Sequence, residues 1–119
     1  SMTNIQDGTV GHVTTDKYPL IVGDRVTVGH NATIHACTIH DEVLIGMGSV
    51  VMDGAAVEKH AMVAAGAVVS PGKVVKSGEL WAGVPAKCVR KVTDDEIKYI
   101  LWSAEHYYAL GQAHKQAVQ

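Results

Sequence analysis

The segment IGMGSVVMDGAAVEKHAMVAAGAVVSPGKVV, residues 45–75, decides the fold because an aliphatic residue recurs in it at every sixth position. The recurring residues are Ile45, Val51, Val57, Val63, Val69 and Val75, and Trp81 continues the phase. A small residue stands four positions after each of the first four: Ser49, Ala55, Ala61 and Ala67. Upstream, Val22, Val28 and Ile34 keep the period, with Val26, Ala32 and Thr38 at the small position and one residue dropped before Ile39. A period of six fits neither an amphipathic helix nor simple β alternation.

A six-residue period is typical of a parallel β-helix, in which each hexapeptide forms one short strand and one corner. Three hexapeptides close a triangular coil of about 18 residues, and stacked coils pair their backbones about 4.8 Å apart. A single coil cannot bury its own core, so several must stack. The sequence predicts about five coils between Asn4 and Lys91. A conventional β-sandwich is disfavoured because the period persists over such a long stretch.

Two segments break the rhythm and set the predicted boundaries. Residues 14–20, TTDKYPL, have no hexapeptide phase and are interpreted as a loop expelled from a coil corner. Thr93 and Glu96 form a capping box, which predicts a helix from about Asp94 to His114 that packs on a β-helix wall of its own or a neighbouring subunit. The predicted organisation is a cloning remnant or start at 1–2, a β-helix at 3–92 and a C-terminal helix at 93–119.

Composition excludes several classes of partner. The formal net charge of −2 gives no reason to expect binding to nucleic acid or to an anionic membrane. Cys37 and Cys88 are too few for a disulfide framework or a cysteine-rich zinc site, which favours a reducing, cytoplasmic setting. The sequence has no run of 18 apolar residues and no recognisable signal peptide, so we expect no membrane association.

Three of the seven histidines fall at positions that the repeat relates to one another. His35 follows the aliphatic Ile34, and His12 follows Gly11, which occupies the aliphatic phase set by Ile5. If the loop at 14–20 bulges out, Gly11 and Ile34 lie on the same face of successive coils. His12 and His35 then become outward-pointing neighbours that can share one metal ion. His30 lies near the preceding corner and points elsewhere, where it could serve a neighbouring subunit across a three-fold axis.

The segments NIQDGTV (4–10) with His12, GHN (29–31) with His35, and IGMG (45–48) resemble the γ-class carbonic anhydrase-like proteins over nearly the whole chain. The resemblance implies a left-handed parallel β-helix and a homotrimer with zinc, or alternatively iron or cobalt, between subunits. It implies that His12 and His35 come from one subunit and His30 from its neighbour. It further implies that Gln6 contacts the metal-bound water, that Asn4 lines the same pocket with Asp7 beside it, and that Tyr107 of the C-terminal helix reaches the site.

This ligand set suits carbonate dehydratase chemistry, the activity of a zinc lyase. Three neutral imidazoles leave the zinc dicationic, with an open position for water whose pKa falls to about 7. The resulting hydroxide could attack carbon dioxide and form bicarbonate, while the Gln6 amide orients the nucleophile without adding charge. The other four histidines are interpreted as non-ligands: His40, His60, His106 and His114.

Two alternative functions remain open at this stage. Family members usually carry further coils with an Arg-x-Asp motif upstream of the NIQD segment, and this sequence does not include that motif. The chain could therefore be a non-catalytic scaffold or assembly subunit that keeps the metal as a trimer staple. For either function, we expect the exposed coil end to be capped, by a neighbouring trimer in a dimer of trimers or by a swapped terminal segment. The second alternative is a hexapeptide acyltransferase that uses acetyl-CoA and needs only one catalytic histidine as a base.

Overall fold

In the computed structural model, the backbone is described for residues 4–5, 10–11 and 20–118, and the side chains for residues 20–106. Twelve two-residue strands in this part of the chain carry the repeat: β1 Asn4–Ile5, β2 Val10–Gly11, β3 Ile21–Val22, β4 Thr27–Val28, β5 Thr33–Ile34, β6 Thr38–Ile39, β7 Leu44–Ile45, β8 Val50–Val51, β9 Ala56–Val57, β10 Met62–Val63, β11 Val68–Val69 and β12 Val74–Val75. Two longer strands and a helix follow: β13 Glu79–Gly83, β14 Ala86–Lys91 and α1 Asp94–Val118.

The strands stack into three walls of a triangular prism, as the six-residue period predicts. The first wall is β1-β4-β7-β10-β13, the second is β2-β5-β8-β11, and the third is β3-β6-β9-β12. Every pairing in these walls is parallel and in register, so that Val28 lies beside Ile45, and Val63 beside Trp81. The predicted five coils correspond to five rungs in the first wall and four in each of the others.

The interior of the prism is filled by the residues that define the repeat. The second residue of each repeat strand from β5 to β12 points inward and is at most 1% exposed: Ile34, Ile39, Ile45, Val51, Val57, Val63, Val69 and Val75. The small residues also face inward, and the Ser49 hydroxyl donates to the Gly46 carbonyl at 2.7 Å, which satisfies it within the core. The prediction that Thr38 takes the small inward position is wrong, since Thr38 is only part-buried. Because the coil is one residue short there, the buried residue is Cys37.

The last predicted coil is replaced by an antiparallel hairpin of β13 and β14. Trp81 keeps the hexapeptide phase and pairs with Val63, but the next residue in that phase is Lys87, which is exposed. Burying a lysine inside the prism would be costly, so the chain reverses instead. Gly83, with a φ of 98°, and Pro85, which has no N–H, lie at the reversal.

Helix α1 begins at the predicted capping box and runs to Val118, four residues beyond the predicted His114. The Thr93 N–H donates to Glu96 Oε1 at 2.9 Å, and the Glu96 N–H donates to Thr93 Oγ1 at 3.2 Å. The helix packs on β1 and β4 of its own first wall. Its buried face is formed by Ile100, Ser103 and Ala104. Within the described residues, no helix combines the length and apolar content needed to cross a membrane.

The start of α1 should be sensitive to acid. Two hydrogen bonds from Arg90, at 2.6 and 2.8 Å, together with the Thr93 N–H, lower the pKa of Glu96 from 4.5 to about 2. A carboxyl group with a lowered pKa stabilises the fold above its unfolded pKa, and the contribution is lost as the pH falls towards the folded value. We expect the stability difference between wild type and Glu96→Gln to be constant near neutral pH and to disappear between pH 4.5 and about 2.

Urea unfolding across this pH range measures the difference. Glu105→Gln, at an exposed position of the same helix, is the matched control and should show no comparable loss. An Arg90–Glu96 contribution that persists undiminished at pH 2 would contradict this account of the helix start.

Candidate metal centre

The predicted site residues divide into those the structure describes and those it does not. His30 and His35 are described with their side chains. Asn4 lies in β1 and Tyr107 in α1, and only their backbones are described. Gln6, Asp7 and His12 lie outside the described residues, as does the predicted loop apart from Leu20.

His35 leaves the second wall directly after β5. Its N–H donates to the Val51 carbonyl at 2.8 Å, so the backbone at this position is fixed by the coil below. Because Ile34 points into the core, the next side chain turns away from it, and the His35 side chain is 29% exposed. Its Nδ1 atom lies 3.9 Å from Asp53 Oδ1, which is beyond hydrogen-bond length but close enough for an electrostatic contact.

His30 lies at the corner that precedes β5, at the opposite edge of the same wall. Its carbonyl accepts the Gly48 N–H at 2.9 Å, and its side chain is exposed. The following Asn31 takes a φ of 58°, which turns the chain from the first wall into the second. The two histidines therefore occupy different corners of the prism. Across the part of the chain whose side chains are described, no three His, Cys, Asp or Glu residues gather into a metal-binding group.

The strand register confirms one step of the sequence argument. Gly11 pairs with Ile34 in adjacent rungs of the second wall, as the phase of the repeat predicts. His12 follows Gly11 along the chain as His35 follows Ile34. In the first wall, Asn4 pairs with Thr27 in the same way. The predicted pairing of His12 and His35 as ligands on one protomer depends on this register.

Asp53 is a candidate site residue that sequence reasoning missed. Its Oδ1 accepts the Ala36 N–H at 3.2 Å, which holds the carboxylate beside the His35 ring. A carboxylate near one imidazole nitrogen favours the tautomer with its proton there and leaves the other nitrogen free as a ligand. The spacing could have revealed it, because Asp53 lies one short coil of 17 residues after Ala36.

Cys37, two residues after His35, is unsuited to act as an exposed nucleophile. It is buried in the core and forms no disulfide. Burial, and secondarily the charge of Asp53, raises the pKa of the Cys37 thiol to about 11. The thiol is therefore protonated near neutral pH, and cysteine-based acyl chemistry is disfavoured at this position.

The other described histidines have roles within the fold or on its surface. His60 Nε2 lies 2.8 Å from Glu42 Oε1, and His60 itself has a φ of 65° at a coil corner. The ring of His106 stacks on Trp102 with centroids 4.4 Å apart. His40 is exposed at the corner after β6. These positions agree with the interpretation that they are not ligands of the candidate centre.

The donor set that the structure does describe fits a borderline-soft divalent cation such as zinc. His35 is part-exposed and lies beside a carboxylate that can orient its ring, and His30 is exposed on a fixed corner. Imidazole nitrogens of this kind suit zinc, iron and cobalt. Within the described residues of one protomer, neither histidine is part of a group of three donors.

Comparison with known proteins identifies the family. Residues 36–71 match the bacterial transferase hexapeptide family (six repeats), and residues 19–51 match the hexapeptide repeat of succinyl-transferase. The chain is 51% identical to the mitochondrial gamma carbonic anhydrase 2 of Arabidopsis thaliana, over 96% of this chain and 43% of that protein.

Two crystal structures are similar to this chain in both sequence and fold. A hexapeptide transferase family protein from Anaplasma phagocytophilum is 49% identical with a TM-score of 0.88, covering 94% of this chain and 65% of the other. A Bacillus cereus protein provisionally assigned as an acetyltransferase is 39% identical with a TM-score of 0.94, covering 99% of this chain and 67% of the other. The predicted fold class, a left-handed parallel β-helix of hexapeptide repeats with a C-terminal helix, is confirmed.

The chain belongs to the hexapeptide-repeat proteins and, within them, to the γ-carbonic anhydrase-like family. It spans about half the length of the curated relatives that it matches.

Proposed function

We propose that this protein is a γ-carbonic anhydrase-like trimer that binds a divalent metal between protomers and catalyses the reversible hydration of carbon dioxide to bicarbonate. The metal is zinc, or alternatively iron or cobalt, held by His12 and His35 of one protomer and His30 of the partner subunit. The observation that carries the proposal is the placement of His30 and His35 at opposite edges of the second wall, next to a rung in which Gly11 and Ile34 are paired.

Three-fold symmetry turns this placement into a metal site. If the second wall of each protomer faces the axis, the edge with His30 on one protomer meets the edge with His35 on the next. The outward residues of this wall are part-buried already in the single chain and uncharged: Thr33, Val50 and Val68. A wall of this kind suits a heterologous interface that closes into a ring with three equivalent sites.

The chain's own residues would orient and stabilise the reacting groups. A dication bound at the site would act as a Lewis acid that lets water ionise near neutral pH. The Asp53 carboxylate, 3.9 Å from His35 Nδ1, would favour a proton on that nitrogen and leave Nε2 free for the metal. We assign Gln6 to orienting the nucleophile, and Asn4 and Tyr107 to lining the pocket, from the family resemblance.

The proposal is tested by measuring metal content, native mass and activity on the same preparation. We expect about one metal per chain, a trimeric native mass, and carbon dioxide hydration in a stopped-flow indicator assay that disappears with a chelator and returns with zinc. A monomeric protein without metal after zinc loading would overturn the proposal. The same native mass measurement reports whether trimers associate further into a dimer of trimers.

One alternative has support of its own, and a second would share the metal and the trimer with the proposed enzyme. The transferase names of the similar crystal structures favour an acyltransferase, for which calorimetric binding of coenzyme A would be the positive result. A metal-stapled scaffold would hold the metal and the trimer but hydrate no carbon dioxide. Our further proposal of a cytoplasmic location rests on the cysteine content, since two cysteines are too few for the disulfide framework typical of small secreted proteins.

A further inference from the structure

A cleft of about 370 Å³ lies between helix α1 and the first wall. Its floor is built by outward-facing side chains of three successive rungs, Leu44, Met62 and Leu80, and Tyr99 of the helix forms part of its other side. The helix packs on β1 and β4, so it leaves this lower part of the wall only partly covered. The volume lies within the usual range for small-molecule sites, which are mostly apolar with a few placed polar groups.

Two buried hydroxyl groups supply such polar groups. Thr27, on β4, is 3% exposed and Ser103, on α1, is 0% exposed, and both line the cleft. Neither Thr27 Oγ1 nor Ser103 Oγ has a hydrogen-bond partner among the described residues. A buried hydroxyl without a partner has given up its hydrogen bonds to water and gained none in exchange, which destabilises the folded state. Two such groups on the facing elements of one cleft are the polar positions at which a bound molecule would find hydrogen-bond partners.

The charge at the cleft selects against anions. Glu96, at the start of α1, also lines the cleft, and its carboxylate is held by the bidentate contact with Arg90. Because Arg90 already pairs with Glu96, and no Lys or Arg is among the described lining residues, a ligand carboxylate would lose its hydration in a mostly apolar cleft without gaining an opposite charge. A neutral ligand avoids that desolvation cost, and an amide can both accept a hydrogen bond from one hydroxyl and donate one to the other.

We propose that the cleft between α1 and the first wall binds a small uncharged molecule with an aliphatic body and one amide or comparable polar group, hydrogen-bonded to Thr27 and Ser103. Thr27 lies one rung below Asn4 on the same wall, so the cleft adjoins the predicted pocket. Binding there requires no metal. Failure of this proposal would leave the metal content and hydration measurements unaffected.

Hexanamide and hexanoate are a matched pair of probes that differ in charge. We expect hexanamide to bind the purified protein at about 1 mM, as its few heavy atoms allow, in a ligand-observed NMR titration. Hexanoate should bind at least about tenfold more weakly because its carboxylate would be desolvated in the cleft without a cation to pair with. Thr27→Val and Ser103→Ala should each weaken hexanamide binding about threefold to tenfold, as expected for one lost hydrogen bond.

Both variants should fold, because each removes a hydroxyl that has no partner in the folded chain. Their melting temperatures should equal or exceed that of the wild type. Thr38→Val, at an outward position of the third wall, is the control and should leave hexanamide binding unchanged. Three results would each overturn the proposal: no saturable binding, as when a second copy of the chain covers the cleft; equal binding of hexanoate; or hexanamide binding that neither hydroxyl variant weakens.

Discussion

His35→Ala is expected to abolish stoichiometric metal binding and to loosen the trimer. The substitution removes one of three proposed ligands and leaves Asp53 facing an empty position. Loss of an outer carboxylate partner alone commonly weakens metal affinity 10- to 100-fold, so loss of the imidazole should cost more than about a hundredfold. Because an interface metal stabilises only the assembled state, native mass should shift towards the monomer at the same protein concentration.

The measurement is metal per chain by elemental analysis, paired with native mass spectrometry. His40→Ala is the matched control, because His40 is also a histidine at the corner that directly follows a strand, but it is exposed and lies after β6 on the third wall. We expect it to keep the wild-type metal content and mass. Unchanged zinc content in His35→Ala would rule out the proposed centre, whatever the hydration activity.

Gly46→Ala is expected to destabilise the β-helix by about 3 kcal/mol, near the upper end for overpacking a closely packed site. A Cβ atom at Gly46 would lie 2.5 Å from the Ala65 nitrogen and 2.7 Å from the Val63 oxygen. Both are backbone atoms of the next coil, so no side chain can rotate away. The Gly46 N–H also donates to the Val63 carbonyl at 2.7 Å, and separating the coils would lengthen that bond. Each coil is stabilised mainly by its neighbours, so local separation weakens the whole stack.

Gly66→Asn is the control for this prediction. Gly66 has a φ of 72° and open space around the position of a Cβ atom. Asparagine tolerates this backbone conformation, and Asn31 already adopts a φ of 58° at the same kind of corner, so the cost should stay below about 1 kcal/mol. Urea unfolding at matched protein and zinc concentrations measures both. Equal stability of the two variants would show that the coils can separate at Gly46 without penalty.

The repeat and the helix cap could be predicted from the sequence because each depends on neighbouring residues. The six-residue period placed Ile45, Val51 and Val63 in the core, and Thr93 with Glu96 marked the start of α1. The pairing of Gly11 with Ile34 also followed from counting residues. The end of the β-helix could not be predicted in this way. Trp81 keeps the six-residue phase, so the sequence alone predicts a further coil. Only the folded chain shows that a hairpin replaces that coil and that Lys87, the next residue in the phase, is exposed.

By itself, the sequence determined the stacked triangular fold, its core and the three candidate histidines, since a strict period fixes which side chains turn inward. Only the tertiary structure decided that His30 and His35 stand at opposite edges of one wall, and that Asp53 lies beside His35. It also decided where α1 packs, and therefore that Thr27 and Ser103 face one cleft. The physical reason is that these relations join residues a full coil or more apart, and they depend on how coils stack and where a helix docks rather than on any local pattern.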